Sequence, residues 1–154
     1  MNQNSVPGKY EYLPHPADLK IRGTGDTLEE AFANIILALT ATRDDAALIA
    51  EKKQKNADAM QTIPISIKSR RLTSLLFDLC QKYLENLEVK RQLPIALTNA
   101  KITNTKTGFV LSAEFECIQL SDEQVDNLIK APTYHEMNIE SVGIKTQATI
   151  VLDI

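Results

Sequence analysis

The end of the sequence has the alternation of a β-strand that buries one face. Within residues 147–154, apolar side chains occupy every second position, at Ala148, Ile150, Leu152 and Ile154. Successive side chains of a strand point to opposite faces, so Asp153 belongs to the other face. The segment therefore requires a hydrophobic core on one side, and it places a carboxylate near its end on the other side.

A second aspartate opens a predicted strand near the start of the sequence. Leu19 and Ile21 share one face of residues 19–23, whereas Asp18 belongs to the opposite face. Aspartate is depleted inside strands and common at their ends. The positions of Asp18 and Asp153 are therefore explained by two strand ends exposed to solvent. On their own they do not establish a functional site.

Hydrophobic periodicity predicts two helices among a series of strands. Residues 27–42 begin with the Thr-x-x-Glu form of a capping box, and residues 69–88 carry leucines at helical spacing after a candidate cap at Ser69. Strands are predicted at residues 10–13, 19–23, 63–67, 95–103, 109–118, 129–139 and 147–154, with turns at 104–108 and 140–143. The order β-β-α-β-α-β-β-β-β predicts an α+β fold, a mostly antiparallel β-sheet with two packed α-helices in a single domain.

The length of 154 residues and the hydrophobic fraction of 44% suit one domain with its own core. We expect a flexible N-terminus at residues 1–8 and the domain at residues 9–154. Residues 43–61 are polar and charged around a short apolar patch. They predict a surface loop within the domain.

Composition narrows the range of functions. A net charge of −3 and few aromatic residues argue against direct binding of nucleic acid, which favours a basic surface or stacking aromatic rings. Cys80 and Cys117 lie among apolar residues, which predicts buried free thiols. The sequence shows neither a signal peptide nor a membrane span, so we expect a cytoplasmic protein that does not bind membranes.

Motifs for catalysis by this chain alone are weak. Gly23-Thr24-Gly25 precedes a helix as a phosphate-binding turn would, but the carboxylates at the start of that helix would repel a phosphate. His15 and His135 have no Cys or Ser partner at a motif spacing, so a nucleophilic triad is not supported.

Residues 130–135 concentrate a cation, a phenol and an imidazole in one predicted strand. On the residues alone this segment is explained by an amphipathic edge strand in which Pro132 blocks further pairing.

Several separate motifs, in order along the chain, closely resemble the archease family. The resemblance covers about residues 9–154. It is carried by Tyr10-Glu11-Tyr12-Leu13, His15-Pro16-Ala17-Asp18, Gly25-Asp26-Thr27-Leu28-Glu29-Glu30-Ala31-Phe32, Leu75-Leu76-Phe77, Lys130-Ala131-Pro132-Thr133-Tyr134-His135 and Asp153-Ile154.

This resemblance implies a non-catalytic accessory protein of the GTP-dependent tRNA-splicing ligase, which promotes guanylylation of the ligase and its multiple turnover. The accessory protein would contact RNA only through the ligase. The family pattern implies a bound divalent metal held by Asp18, Asp153 and Ile154, and it matches Lys130 to a lysine that activates the ligase.

The faces predicted above agree with that ligand set. Ile154 buries its side chain, so it could ligate only through main-chain or terminal carboxylate oxygens, and an all-oxygen set suits Ca²⁺, Mg²⁺ or Mn²⁺. One departure is Pro16, where the family usually has Thr. Two other functions stay open: a chaperone-like protein-binding module with a structural metal, and a metal-dependent hydrolase.

Overall fold

The computed structural model describes residues 4–45, 49–50 and 60–154. In these residues the chain forms the predicted order of strands and helices. The elements are β1 (Tyr10–Leu13), β2 (Asp18–Gly25), α1 (Leu28–Ala41), β3 (Met60–Ser69), α2 (Leu72–Lys90), β4 (Gln92–Thr105), β5 (Gly108–Gln119), a 3-10 turn (Asp122–Gln124), β6 (Ala131–Val142) and β7 (Lys145–Asp153).

The strands form two antiparallel sheets within one domain, so the predicted α+β class is confirmed. One sheet has the order β1-β2-β7-β6, and the other has the order β3-β5-β4. The division into two sheets did not follow from the strand pattern. β6 is an edge strand, as its proline suggested, and β7 lies between β6 and β2.

Of the two helix N-caps predicted from the sequence, one is confirmed and one is wrong. Thr27 caps α1, because its hydroxyl oxygen accepts a hydrogen bond from the Glu30 main-chain N–H at 3.1 Å. Ser69 does not cap α2: it is the last residue of β3, and its hydroxyl donates instead to the Asp78 carboxylate at 2.6 Å. The N-cap of α2 is Arg71, which makes no side-chain capping bond.

The core lies where both helices pack on the sheets. It includes the fully buried Phe32, Tyr83 and Phe115, and the predicted buried free thiols, Cys80 and Cys117, are confirmed. Gly23 brings β2 against α1, since a Cβ at Gly23 would lie 2.5 Å from the carbonyl oxygen of Ala31. This glycine therefore serves helix packing.

Several segment boundaries differ from the prediction. Met60 and Gln61 belong to β3 instead of the predicted loop, and β6 continues to Val142, so the turn comes at residues 143–144 instead of 140–143. The β4–β5 connection tightens to residues 106–107. Of the predicted loop, residues 46–48 and 51–59 lie outside the described residues.

The N-terminal segment is described from residue 4. Val6 forms an isolated bridge with Tyr10, and the Ser5 hydroxyl accepts a hydrogen bond from the Tyr12 main-chain N–H at 3.0 Å. Among the helices in the described residues, none has both the length and the apolar character needed to cross a membrane.

Candidate functional site

Strand pairing places the two predicted aspartates side by side. Asp18 on β2 and Asp153 on β7 are directly opposite partners in the antiparallel ladder. Directly opposite residues point to the same face of a sheet, with Cβ atoms about 4.5–5.5 Å apart. Asp153 is exposed, and the Asp18 side chain is 31% exposed. The two carboxylates thus share one polar face at the end of the sheet, although 135 positions separate them in sequence.

The other two predicted site residues adjoin this pair. The Lys130 main-chain N–H donates to the Asp153 carbonyl at 2.8 Å, and the next residue, Ala131, is the ladder partner of Asp153. Ile154 is half-buried, with its side chain packed against the core. Lys130 and Ile154 also line one cleft. All four predicted residues are therefore brought to one end of the β1-β2-β7-β6 sheet.

Arg43 lines the same cleft, and the sequence analysis did not identify it. Its guanidinium forms two hydrogen bonds with the Asp45 carboxylate, at 3.0 and 2.7 Å. It also donates to the carbonyl oxygens of Gln124 at 2.7 Å and Asp126 at 2.9 Å. Arg43 is buried, so its charge is satisfied internally and ties the end of α1 to the segment that precedes Lys130.

A second polar cluster lies beside Asp18, and the sequence analysis missed this one as well. The His15 Nε2 atom lies 3.1 Å from Glu136 Oε2, and Lys20 Nζ lies 3.3 Å from the same oxygen. His135 Nε2 lies 4.0 Å from Glu136 Oε1. On its other side, His15 Nδ1 lies 3.6 Å from Asp18 Oδ2.

An irregularity in β6 brings this cluster together. Thr133 pairs with Val151 and Asn138 pairs with Thr149, so residues 134–137 of β6 lie opposite one residue of β7. Extra residues in one strand form a bulge that redirects side chains. Glu136, within the bulge, has a left-handed φ of +53°. A bulge has no period-2 signature, which explains why Glu136 could not be placed from the sequence.

Charge dominates this end of the sheet. The hydrogen bond from Lys20 holds the pKa of the Glu136 carboxyl below its usual value. Asp18 and Asp153 are directly opposite each other in the ladder, where two like charges are destabilising. A cation between them would reverse the sign of that interaction.

The donor set fits a hard divalent ion. Two adjacent carboxylates and the main-chain oxygens at Ile154 offer only oxygen, which Ca²⁺, Mg²⁺ and Mn²⁺ prefer. In addition, His15 Nδ1 is buried beside Asp18 and has no hydrogen-bond partner among the described residues. The oxygen donor set supports a cation between Asp18 and Asp153, and the metal assignment stays a prediction.

The sequence matches one protein family along nearly its whole length. The model of the archease protein family (MTH1598/TM1083) matches residues 10–154. The chain belongs to the archease family. It is 31% identical over 153 residues to the archease of Methanosarcina barkeri, an alignment that covers 97% of this chain and 99% of that protein. It is 32% identical over 136 residues to the archease of Pyrococcus furiosus, covering 86% of this chain and 88% of that one.

Solved structures share the archease fold. The solution structure of Methanobacterium thermoautotrophicum protein 1598 covers 96% of this chain and 99% of its own, with a TM-score of 0.68 and 23% identity. The crystal structure of an archease and possible chaperone from Thermotoga maritima covers 92% and 94%, with a TM-score of 0.51 and 19% identity. At these identities the similarity establishes the fold alone.

The departure at Pro16 is confined to a surface turn. Pro16 and Ala17 are exposed between β1 and β2, and Ala17 has a left-handed φ of +62°. The proline precedes that strained residue and leaves Asp18 in register with Asp153. Pro16 therefore does not displace the Asp18–Asp153 pair.

Proposed function

We propose that this archease is a non-catalytic accessory protein that activates a GTP-dependent tRNA-splicing RNA ligase in the cytoplasm. It would promote guanylylation of the ligase and its multiple turnover. The observation that carries the proposal is the convergence of Asp18, Asp153 and Lys130 at one end of a sheet. The family resemblance assigns metal binding to Asp18 and Asp153, and activation of the ligase to Lys130.

A divalent cation is part of the proposal. Asp18, Asp153 and the oxygens of Ile154 would hold Ca²⁺, Mg²⁺ or Mn²⁺. When bound, the cation supplies positive charge near the surface where phosphate groups of the ligase complex would lie. Asp18 and Asp153 hold their carboxylates at a fixed spacing, because ladder partners cannot separate without breaking main-chain hydrogen bonds.

Lys130 would act beside the metal without binding it. Its ammonium carries hydrogen-bond donors only, so it cannot ligate a cation. The side chain is exposed, whereas the main chain is anchored to Asp153. An exposed ammonium group on an anchored backbone can offset phosphate charge in the ligase complex. This role does not require the archease itself to bind RNA. RNA would be engaged only by the ligase, in keeping with the net charge of −3.

A second candidate function is a chaperone-like module that binds protein partners and uses the metal only to join β2 to β7. The Thermotoga maritima relative is described as a possible chaperone. Under this alternative the ligase would be stabilised or solubilised, and Lys130 would have no special importance for its chemistry.

The test is ligase guanylylation with labelled GTP, using the ligase from the same organism with and without the archease. Lys130→Ala should lower the rate of covalent GMP transfer while the variant keeps its thermal stability. Lys106→Ala is the matched control, because Lys106 is an exposed lysine in the β4–β5 turn, on the other sheet.

Equal stimulation by the Lys130 and Lys106 variants would reject the role of Lys130. Protection of the ligase from aggregation without any change in guanylylation would favour the chaperone-like alternative. A product formed from RNA and GTP without ligase would contradict the accessory role.

A further inference from the structure

We propose that His15, His135 and Glu136 form a second metal site, which binds a divalent transition ion of the Zn²⁺ class. One donor atom from each of the three residues lies within 4.8 Å of the others. Its three donor residues differ from the all-oxygen set at Asp18, Asp153 and Ile154, although His15 also contacts Asp18. The proposal does not depend on the proposed role in ligase activation.

The geometry already approaches a common coordination centre. Zn²⁺ binds imidazole nitrogen and carboxylate oxygen at about 2.0–2.2 Å, so two donors on one ion lie at most about 4.4 Å apart. His15 Nε2 is 3.1 Å from Glu136 Oε2, and His135 Nε2 is 4.0 Å from Glu136 Oε1. The two imidazole rings meet edge to face, with centroids 5.8 Å apart. His135 and Glu136 are exposed, so their side chains have room to rotate toward His15.

The unpartnered nitrogen of His15 supports the site. A histidine that binds metal through one ring nitrogen commonly donates the other N–H to a carboxylate, which fixes the tautomer and the ring orientation. His15 Nδ1 is buried without a hydrogen bond, and its neighbour is the Asp18 carboxylate at 3.6 Å. An Nδ1–H directed at Asp18 leaves the Nε2 lone pair of His15 directed toward Glu136.

Lys20 competes for the same carboxylate but leaves part of it available. Its ammonium contacts Glu136 Oε2, whereas Oε1 faces His135. Without metal, the Lys20 ammonium balances the charge of Glu136. With metal bound, the ion takes over that balance, and a fourth coordination position stays open to water or to a group from a partner.

The donor types determine which ion is preferred. Two imidazoles and one carboxylate suit Zn²⁺ or Co²⁺, whereas Ca²⁺ and Mg²⁺ prefer oxygen alone. The chain has only two histidines, and both belong to this cluster. Cys80 and Cys117 are buried in the core, so they do not offer a competing surface site in the folded protein.

The experiment uses the full chain without a histidine tag. Zn²⁺ binding is measured by calorimetry, and Co²⁺ binding by visible absorption, whose bands report the coordination geometry of the ion. The variants are His135→Ala and Glu136→Gln. The controls are Asn138→Ala, an exposed neighbour on β6, and Asp153→Asn, which damages only the all-oxygen set.

We expect one Zn²⁺ per chain, with affinity lowered at least about tenfold in the His135 and Glu136 variants and retained in both controls. Co²⁺ should give visible bands in the unmodified chain that His135→Ala removes. Unchanged Zn²⁺ affinity in His135→Ala would overturn the proposal. Loss in Asp153→Asn as large as in His135→Ala would also overturn it, because the ion would then occupy the all-oxygen set.

Discussion

The substitution Asp153→Asn should have opposite effects on stability with and without a divalent cation. Asparagine keeps the shape of the side chain but removes one of two negative charges on directly opposite ladder partners. For carboxylates about 5 Å apart, the Coulomb repulsion is about 0.8 kcal/mol in water and about 3 kcal/mol at an effective dielectric constant of 20. Because Asp153 is exposed, the lower value applies. In a chelator, Asp153→Asn should therefore stabilise the fold by about 1 kcal/mol.

A saturating divalent cation should make the unmodified chain more stable than Asp153→Asn. A ligand at a free concentration of 100 times its dissociation constant stabilises the folded state by about 2.7 kcal/mol. The unmodified chain should gain this stabilisation, whereas the variant lacks one ligand and should not. At this chain length, about 1 kcal/mol corresponds to about 2–4 °C in Tm. In chelator, the Tm of the variant should be about 2–4 °C above that of the unmodified chain. In Ca²⁺, the Tm of the unmodified chain should be several degrees above that of the variant.

Thermal unfolding followed by circular dichroism measures both effects. Glu140→Gln is the matched control, because Glu140 is another exposed carboxylate on β6 and its ladder partner, Gln147, is uncharged. The control should behave as the unmodified chain does in both buffers. A lower Tm for Asp153→Asn in chelator, or an equal response of both chains to Ca²⁺, would refute the reasoning.

Three further predictions concern the packing, the thiols and the end of β7. Gly23→Ala should destabilise the fold by about 1–3 kcal/mol or more, measured by urea unfolding, since its Cβ would meet Ala31 main-chain oxygen at 2.5 Å; wild-type stability would contradict the packing role. Burial raises the pKa of Cys80 and Cys117 to about 12, so dithionitrobenzoate should react at pH 8 only after unfolding. Because the pKa of an unfolded thiol is about 8.5, the contribution of the two thiols to stability is present below that pH and is lost as pH rises toward the folded pKa values. A tag fused after Ile154 should weaken Ca²⁺ binding and ligase activation while an N-terminal tag leaves both intact, and equal behaviour of the two folded proteins in calorimetry would argue against a ligand at Ile154.

Local patterns predicted the elements well because they depend on neighbouring residues. Period 2 in residues 147–154 and helical spacing after Thr27 specify which face each side chain occupies, whatever the rest of the chain does. The prediction that Ser69 caps α2 was wrong because it ignored tertiary contacts. The Ser69 hydroxyl donates to Asp78, a partner that becomes available only when α2 packs beside β3.

Sequence by itself determined the order of strands and helices, the polar face of Asp18 and Asp153, and the family. Only the tertiary structure decided that these aspartates are ladder partners, that the strands divide between two sheets, and that a bulge brings Glu136 to His15. The physical reason is that periodicity encodes the direction of a side chain, whereas register and bulges depend on how distant strands pair. Those pairings are selected by packing of the whole core, and no local segment of the chain contains that information.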